Sequence, residues 1–374
     1  MQTGILETTV PLAPCPRCMV RRERRARPAS LIGLPDRGVG ILEAVAGQGA
    51  HDTAAFGNPA GTHVVQGTCQ RRRRSRFAED AIASGEQLLR REVSVARDGA
   101  RVLVLDARPA LLEGDAVARR PVDVAGDHGV VDEGVSAYPQ EVTGAMVQTF
   151  LVGGAGINAI ARHVAAEVFV VDMGIKAELN GVDSNRLIVH KIAPGTANFA
   201  RGPAMTRQEA EQSILCGFQE ASRLYQDGVE ILGTGDMGIG NTTPSAAIGT
   251  VICGADPTDI VGRGTGIDNE GLARKQDAVS RGIAVNKPDP ADGLDVLAKV
   301  GGFEIGAIAG CVLSAGFHRR PVVIDGFIST AGALIAWVLC PFVMDYLFAG
   351  HRSEEIGHQT MLDYLKLNPI LDLG

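Results

Sequence analysis

The chain has 374 residues, 36 Lys plus Arg against 43 Asp plus Glu, and a formal net charge of −7. That balance gives no electrostatic push toward nucleic acid or an anionic membrane. Seven cysteines scattered over this length argue against a disulfide framework, and four Tyr with one Trp mark an Ala/Gly/Val-rich α/β protein.

The first 120 residues differ from the rest. Ahead of Lys176 every Lys/Arg position is arginine, with runs at Arg21-Arg22-Glu23-Arg24-Arg25 and Arg71-Arg72-Arg73-Arg74-Ser75-Arg76. Apolar periodicity is weak there; only Ala81–Arg91 reads as a helix and Arg101–Ala107 as a strand. The region is read as an atypical Arg-rich segment, either a disordered extension or residues outside the native frame. A basic nucleic-acid arm is the weaker reading, because no aromatics are interleaved. Cys15-Pro-Arg-Cys18 has metal-ligand spacing, but no second Cys-x-x-Cys follows, and Cys69, His51 and His63 stand at irregular distances. No metal site is assigned. No signal-peptide pattern is seen, and the longest apolar run, Thr330 to Tyr346, includes Pro341 and Asp345 and reads as a buried helix. A cytoplasmic protein with no membrane contact is expected.

From residue 121 to 374 the pattern is regular. Val122–Ala125, Glu167–Val171, Arg186–Ile192, Val229–Leu232 and Pro321–Ile324 read as strands. Val142–Ala165, Thr206–Asp227, Leu272–Ala284 and Asp292–Val300 read as helices, the second opened by a Thr206…Glu209 capping box. Alternating strands and helices predict a Rossmann-like parallel α/β sheet with helices on both faces. Most of these strands end near Gly with Asp beside it, so a site at their carboxyl ends is expected.

Ile231-Leu-Gly-Thr-Gly-Asp-Met-Gly-Ile-Gly-Asn-Thr-Thr-Pro244 carries the most information. Its four glycines permit tight turns and close approach to a ligand. Thr242 or Thr243 can cap the helix that follows, with Pro244 at its first position. Strand, glycine loop and helix N-terminus together suit an anion. Asp236 adds a carboxylate to handle a hydroxyl or a proton. A tight turn without a ligand is the plain alternative. Gly262-Arg-Gly-Thr-Gly266-Ile-Asp268 is a second glycine-rich loop, and Lys275 follows it, placed either to meet a phosphate or to sit solvated on a surface. Gly233-Thr-Gly235-Asp-Met-Gly238 also meets the GxGxxG spacing of nicotinamide-dependent oxidoreductases. It lies late in the sheet, and no acidic residue ends a strand about 20 residues on.

Five segments, in this order, resemble nicotinate-nucleotide–dimethylbenzimidazole phosphoribosyltransferases. They are Gly-Asp-His-Gly-Val (126–130), Gly-Val-Ser-Ala-Tyr-Pro-Gln-Glu-Val-Thr (134–143), Gly-Asp-Met-Gly-Ile-Gly-Asn-Thr-Thr-Pro (235–244), Lys-Val-Gly-Gly-Phe-Glu-Ile (299–305) and Val-Ile-Asp-Gly-Phe-Ile-Ser (323–329). The resemblance runs from about Val122 to Gly374. It implies transfer of phosphoribosyl from nicotinate mononucleotide to a benzimidazole-type base, giving an α-ribotide and nicotinate for the nucleotide loop of cobalamin. It implies a homodimer, no cofactor and no metal. By the same resemblance Tyr138 and Met146 wall the base pocket. Gly238, Gly264, Lys275 and Ser353 hold phosphate and ribose, Asn241 and Gly326 lie in the same loops, Asp236 is the carboxylate of the glycine loop, and Asp325 closes the site. Core packing is the alternative for Tyr138 and Met146.

The family also carries a catalytic glutamate in a Gly-Glu-Gly segment just beyond a Leu-Asp-Leu-Gly such as 371–374, and a Pro-Pro-Gly-Ser-Leu-Gly-like segment near its start. Pro28–Leu34 is a faint echo of the second. On the resemblance, then, the 121–374 core is expected to be truncated at its C-terminus. The small helical domain is expected to be incomplete, apolar surface to be exposed around Ala331–Leu347, and turnover to be weak or lost. A binding-only remnant is the corresponding alternative function.

Overall fold

The computed structural model describes residues 119–164, 166–179 and 186–372. The readings made of Cys15, Cys18, His51, His63 and Cys69, of Ala81–Arg91 and of Arg101–Ala107 lie outside these residues.

Six strands form one parallel sheet: β1 (Arg119–Gly126), β2 (Phe169–Gly174), β3 (Leu187–Val189), β4 (Ile231–Met237), β5 (Val322–Ile324) and β6 (Leu347–Ala349), in the order β3-β2-β1-β4-β5-β6. β1 is central: Val122 pairs with Phe169 on one side and Thr234 on the other. The order in which strands are added reverses between β1 and β4, and open parallel sheets bind ligands at the carboxyl ends beside such a switch.

Strand side chains alternate between two cores. Val122, Val124, Val171, Met173, Leu232, Val322 and Ile324 enter the large core, whereas Ala125 and Val170 enter a smaller one with Val147, Phe150 and Ile175. Period-two alternation with both faces apolar is what a sheet covered on both sides requires.

The helices are α1 (Val142–Leu151), α2 (Gly156–His163), α3 (Arg207–Gln226), α4 (Thr242–Cys253), α5 (Pro257–Ile260), α6 (Asn269–Asn286), α7 (Gly293–Val300), α8 (Phe303–His318), α9 (Gly326–Leu339) and α10 (Ile356–Leu365). The Thr206–Glu209 capping box opens α3: Thr206 Oγ1 accepts from the Glu209 N–H, and the Glu209 carboxylate accepts from the Thr206 N–H. Asp292 caps α7 in the same sense. α8, which the apolar pattern around residues 303–318 did not mark as a helix, is buried over most of its length between α3, α9 and the sheet. A helix apolar on all faces has no stripe to read.

Several elements differ from expectation. Val142–Ala165 is two helices, broken where Gly153 turns at φ 80°. The stretch is apolar and long enough to cross a membrane by composition, yet the helices measure 10 and 8 residues. The run Thr330–Tyr346 is not one helix: α9 ends at Leu339, Pro341–Asp345 is a 3-10 turn, and β6 begins at Leu347. Ala331 to Ala336 are buried in the core, so the expected apolar exposure is confined to residues such as Phe342, 70% exposed. β4 continues to Met237, so Gly233, Gly235 and Asp236 stand in the strand and not in a loop. The N-cap residue of α4 is Asn241, in place of Thr242 or Thr243.

Candidate active site

The site follows from the glycine pattern of β4. Gly235 pairs in register with Asp123 of β1, and a side chain on Gly235 would collide with the Asp123 carboxylate. Its absence lets that carboxylate lie within the sheet. Gly238 passes so close to the carbonyl of Gly126 and the ring of His128 that any Cβ there would clash. The chain then turns through Gly240 (φ 89°) into α4. The result is a half-open pocket lined by Val135, Ser136, Asp236, Met237, Gly238, Ile239, Gly240, Asn241, Thr242 and Thr265. It sits beside the β1/β4 switch point, against the N-terminus of α4, where free N–H groups and the helix dipole favour an anion.

Asp236 faces this pocket and accepts a hydrogen bond from Asn241 Nδ2 at 2.7 Å. Burial of the carboxyl group pushes its pKa up to about 8, with Glu304, Asp325 and Asp123 adding negative charge and Asn241 working against them. Burial, helped by Asp325, raises Asp123 to about 7. Beneath them lie Glu304 and His128, both fully buried, with Glu304 Oε1 2.8 Å from His128 Nε2. The two groups are close but not aimed for a hydrogen bond; neither carboxylate oxygen nor either ring nitrogen has a hydrogen-bond partner in the protein. Neither residue had a role on the sequence alone. The available signal was a lone acid, Glu304, set between Phe303 and Ile305 after Gly301-Gly302: a charge with no reason to be in an apolar helix.

Against the wall residue Thr242, Lys275 of α6 is fully buried. Its ammonium donates to Thr242 Oγ1 (2.8 Å) and to the Gly262 carbonyl (3.1 Å), and Gly264 turns at φ 53° directly beside it. Burial lowers the Lys275 pKa to about 8, and the Glu355 carboxylate opposes that shift. Of the two alternatives for this lysine, the solvated one is excluded by its burial.

Asp325 follows β5 as the N-cap residue of α9 and stands half-exposed, 2.8 Å from His351 Nδ1. Its carboxylate raises the His351 pKa. Gly326, at φ 72°, opens α9 under the same ring. Ser353 lies between β6 and α10, its N–H bonded to His358. The structure therefore brings Asp236, Gly238 and Asn241 to the pocket wall, places Gly264 and Lys275 against the wall residue Thr242, and puts Asp325, Gly326 and Ser353 at the ends of the next two strands. Tyr138 is 52% exposed in the loop before α1, and Met146 packs on the smaller core with Met237; neither lines the pocket. Among the described residues, no group of three or more His, Cys, Asp or Glu is arranged to hold a metal ion.

A rim of this kind sets a carboxylate beside a helix N-terminus, a place suited to a small anion. Fold and rim together define an open parallel α/β protein with its candidate site at the strand-order switch point. Comparison with known proteins narrows the class. A family model described as phosphoribosyltransferase matches residues 115–374. A nicotinate-nucleotide–dimethylbenzimidazole phosphoribosyltransferase of Geotalea uraniireducens is 56% identical over 262 residues, covering 70% of this chain and 74% of the relative. One of the same name from Geobacter sulfurreducens is 57% identical over 249 residues, covering 67% and 70%. The crystal structure of the enzyme so named from Thermus thermophilus superposes with a TM-score of 0.64 at 48% identity, covering 68% of this chain and 75% of that one. The chain belongs to the nicotinate-nucleotide–dimethylbenzimidazole phosphoribosyltransferase family.

Proposed function

We propose that this chain transfers the phosphoribosyl group of nicotinate mononucleotide to 5,6-dimethylbenzimidazole, releasing nicotinate and α-ribazole 5′-phosphate for cobamide assembly. The observation that carries this reading is Asp236, a carboxyl group of raised proton affinity on a pocket wall whose residue Thr242 is bonded to the buried ammonium of Lys275. The donor's pyridinium is already a cationic leaving group, so no acid is needed at that end. An imidazole nitrogen of the base attacks C1′, the C1′–N bond breaks, and its electron pair stays with nicotinate. The proton on the other imidazole nitrogen then needs an acceptor, and Asp236 supplies one. A bound pyridinium favours the ionised carboxylate, because an opposite charge nearby lowers a carboxyl pKa.

The phosphate is assigned to the far side, to Lys275, Gly264, Ser353 and the N–H groups around Gly238, with Gly326 and Asp325 bounding the ribose. Tyr138 and Met146 are assigned to the base on the family resemblance alone. We assign the working form to a cytoplasmic homodimer that takes small-molecule substrates, without nucleic acid or membrane.

The test is chromatography of nicotinate mononucleotide and 5,6-dimethylbenzimidazole after incubation with the chain. Equimolar nicotinate and α-ribotide are expected, with kcat/KM rising as pH approaches about 8 and Asp236 loses its proton. No nicotinate, together with no nucleotide binding by calorimetry, overturns the reading.

A further inference from the structure

The end of β6 and the end of β5 are tied together by one buried side chain that the reaction above does not use. His358 of α10 is 1% exposed. Its Nδ1 accepts the Ser353 N–H at 2.8 Å, so the ring proton must sit on Nε2. That N–H points to Thr330 Oγ1 at 2.9 Å, and Thr330 in turn donates to the Gly326 carbonyl at 2.7 Å. The chain of bonds runs without a break from Ser353 to Gly326. Ser353 Oγ meanwhile accepts the Glu355 N–H at 3.2 Å, which leaves its hydroxyl proton as the remaining donor of that turn.

We propose that His358 is a positioning residue of the nucleotide site: as a neutral ring it fixes the Ser353 turn against the Gly326 turn and so presents the Ser353 hydroxyl to the donor's phosphate. The proposal rests on the phosphoribosyltransferase reading. A second proton on Nδ1 would face the Ser353 N–H and break the link. The surroundings resist it: burial, and then the His351 ring 6.4 Å away, push the His358 pKa down to about 4, with Asp325 opposing. The edge of Phe327, also 6.4 Å away, closes another side. An apolar residue would fill this space at less cost than a desolvated imidazole, so packing alone does not account for a histidine here.

The experiment measures calorimetric affinities for nicotinate mononucleotide and for nicotinate riboside, which lacks the phosphate, with His358→Phe, His358→Asn and His358→Gln. The Asn amide oxygen keeps the acceptor for Ser353, whereas Gln keeps only the donor toward Thr330. Expected is a loss of about tenfold in mononucleotide affinity for His358→Phe and His358→Gln. His358→Asn stays within about threefold of the parent, and riboside affinity is unchanged throughout. If His358→Phe does not fold, the Asn and Gln pair decides. Mononucleotide affinity unchanged in Gln, equal losses in Asn and Gln, or parallel losses for mononucleotide and riboside each overturn the proposal. A parent chain that binds no mononucleotide overturns the phosphoribosyltransferase reading and this inference with it. A parent that binds while all variants match it overturns this inference alone.

Discussion

The seam between α3 and α8 and the rim at the carboxyl ends of β1, β4, β5 and β6 both depend on glycine, to opposite ends. In the seam, Gly217 rests on the carbonyl of Ala307 and Gly310 on that of Ile214, so two helices touch backbone to backbone. The polar groups there are satisfied locally: Ser213 donates to the Ala210 carbonyl, Ser222 pairs with Ser314, and Cys311 donates to the Gly217 carbonyl. At the rim the glycines admit carboxylates and a lysine, and buried atoms of Asp123, Asp127, His128, Glu304 and Glu355 have no hydrogen-bond partner in the protein. Buried polar groups are ordinarily paired. The seam is finished by folding alone, and the rim holds charge in places where only function rewards it.

The largest effect is expected in the seam. Gly310→Val must push a side chain into the Ile214 carbonyl, and a cost of about 4 kcal/mol or more is predicted, read as loss of the cooperative melt. Gly202→Ala, with nothing within 4 Å of the added carbon, should stay within about 0.5 kcal/mol of the parent. A Gly310→Val protein that melts like the parent would break the comparison at once.

Next comes the carboxylate proposed as base. Asp236→Asn is predicted to cut turnover by about 10²–10⁴ while leaving the melting temperature no lower than the parent's, since it removes a desolvated acid. Equal rates for the two proteins contradict its role. Lys275→Met should weaken nicotinate mononucleotide by about 10–100-fold in calorimetry and also lower the melting temperature, because Thr242 Oγ1 and the Gly262 carbonyl lose their buried donor. A variant that binds like the parent but melts lower would make Lys275 a structural residue.

The pH dependence of stability turns on Asp123. Its folded pKa, about 7, is above the ordinary value, so between roughly pH 4 and 7 the folded chain holds a proton that the unfolded chain has lost. Its contribution is fully present below about pH 4 and is lost as pH rises through 7. Asp123→Asn should therefore flatten the fall in denaturant stability across that window. An unchanged slope would mean that the carboxylate is solvated in the folded chain.

What was legible from the residues alone follows the same division. The rim was readable because its signals are local: Gly-Asp pairs at strand ends, a Gly-rich run into a helix, and a lysine one loop away. The seam was not, because the glycines of α3 and α8 reveal their purpose only once two helices far apart in the chain are in contact, as Ser222 and Ser314 are. Short strands such as β6, three residues after a 3-10 turn, merge with the apolar helix before them. His358 carries no such local signal, and Glu304 carries only that of a lone acid among apolar neighbours. What sets both apart is burial, and burial belongs to the tertiary structure.

The most direct test is hydrogen exchange by mass spectrometry with and without nicotinate mononucleotide. Slowed exchange is predicted in segments covering 235–244, 262–266, 326–330 and 350–355, with the α3 and α8 peptides unchanged. Protection confined to other surfaces, or none at the rim at saturating nucleotide, would contradict the claim that the rim is the nucleotide site.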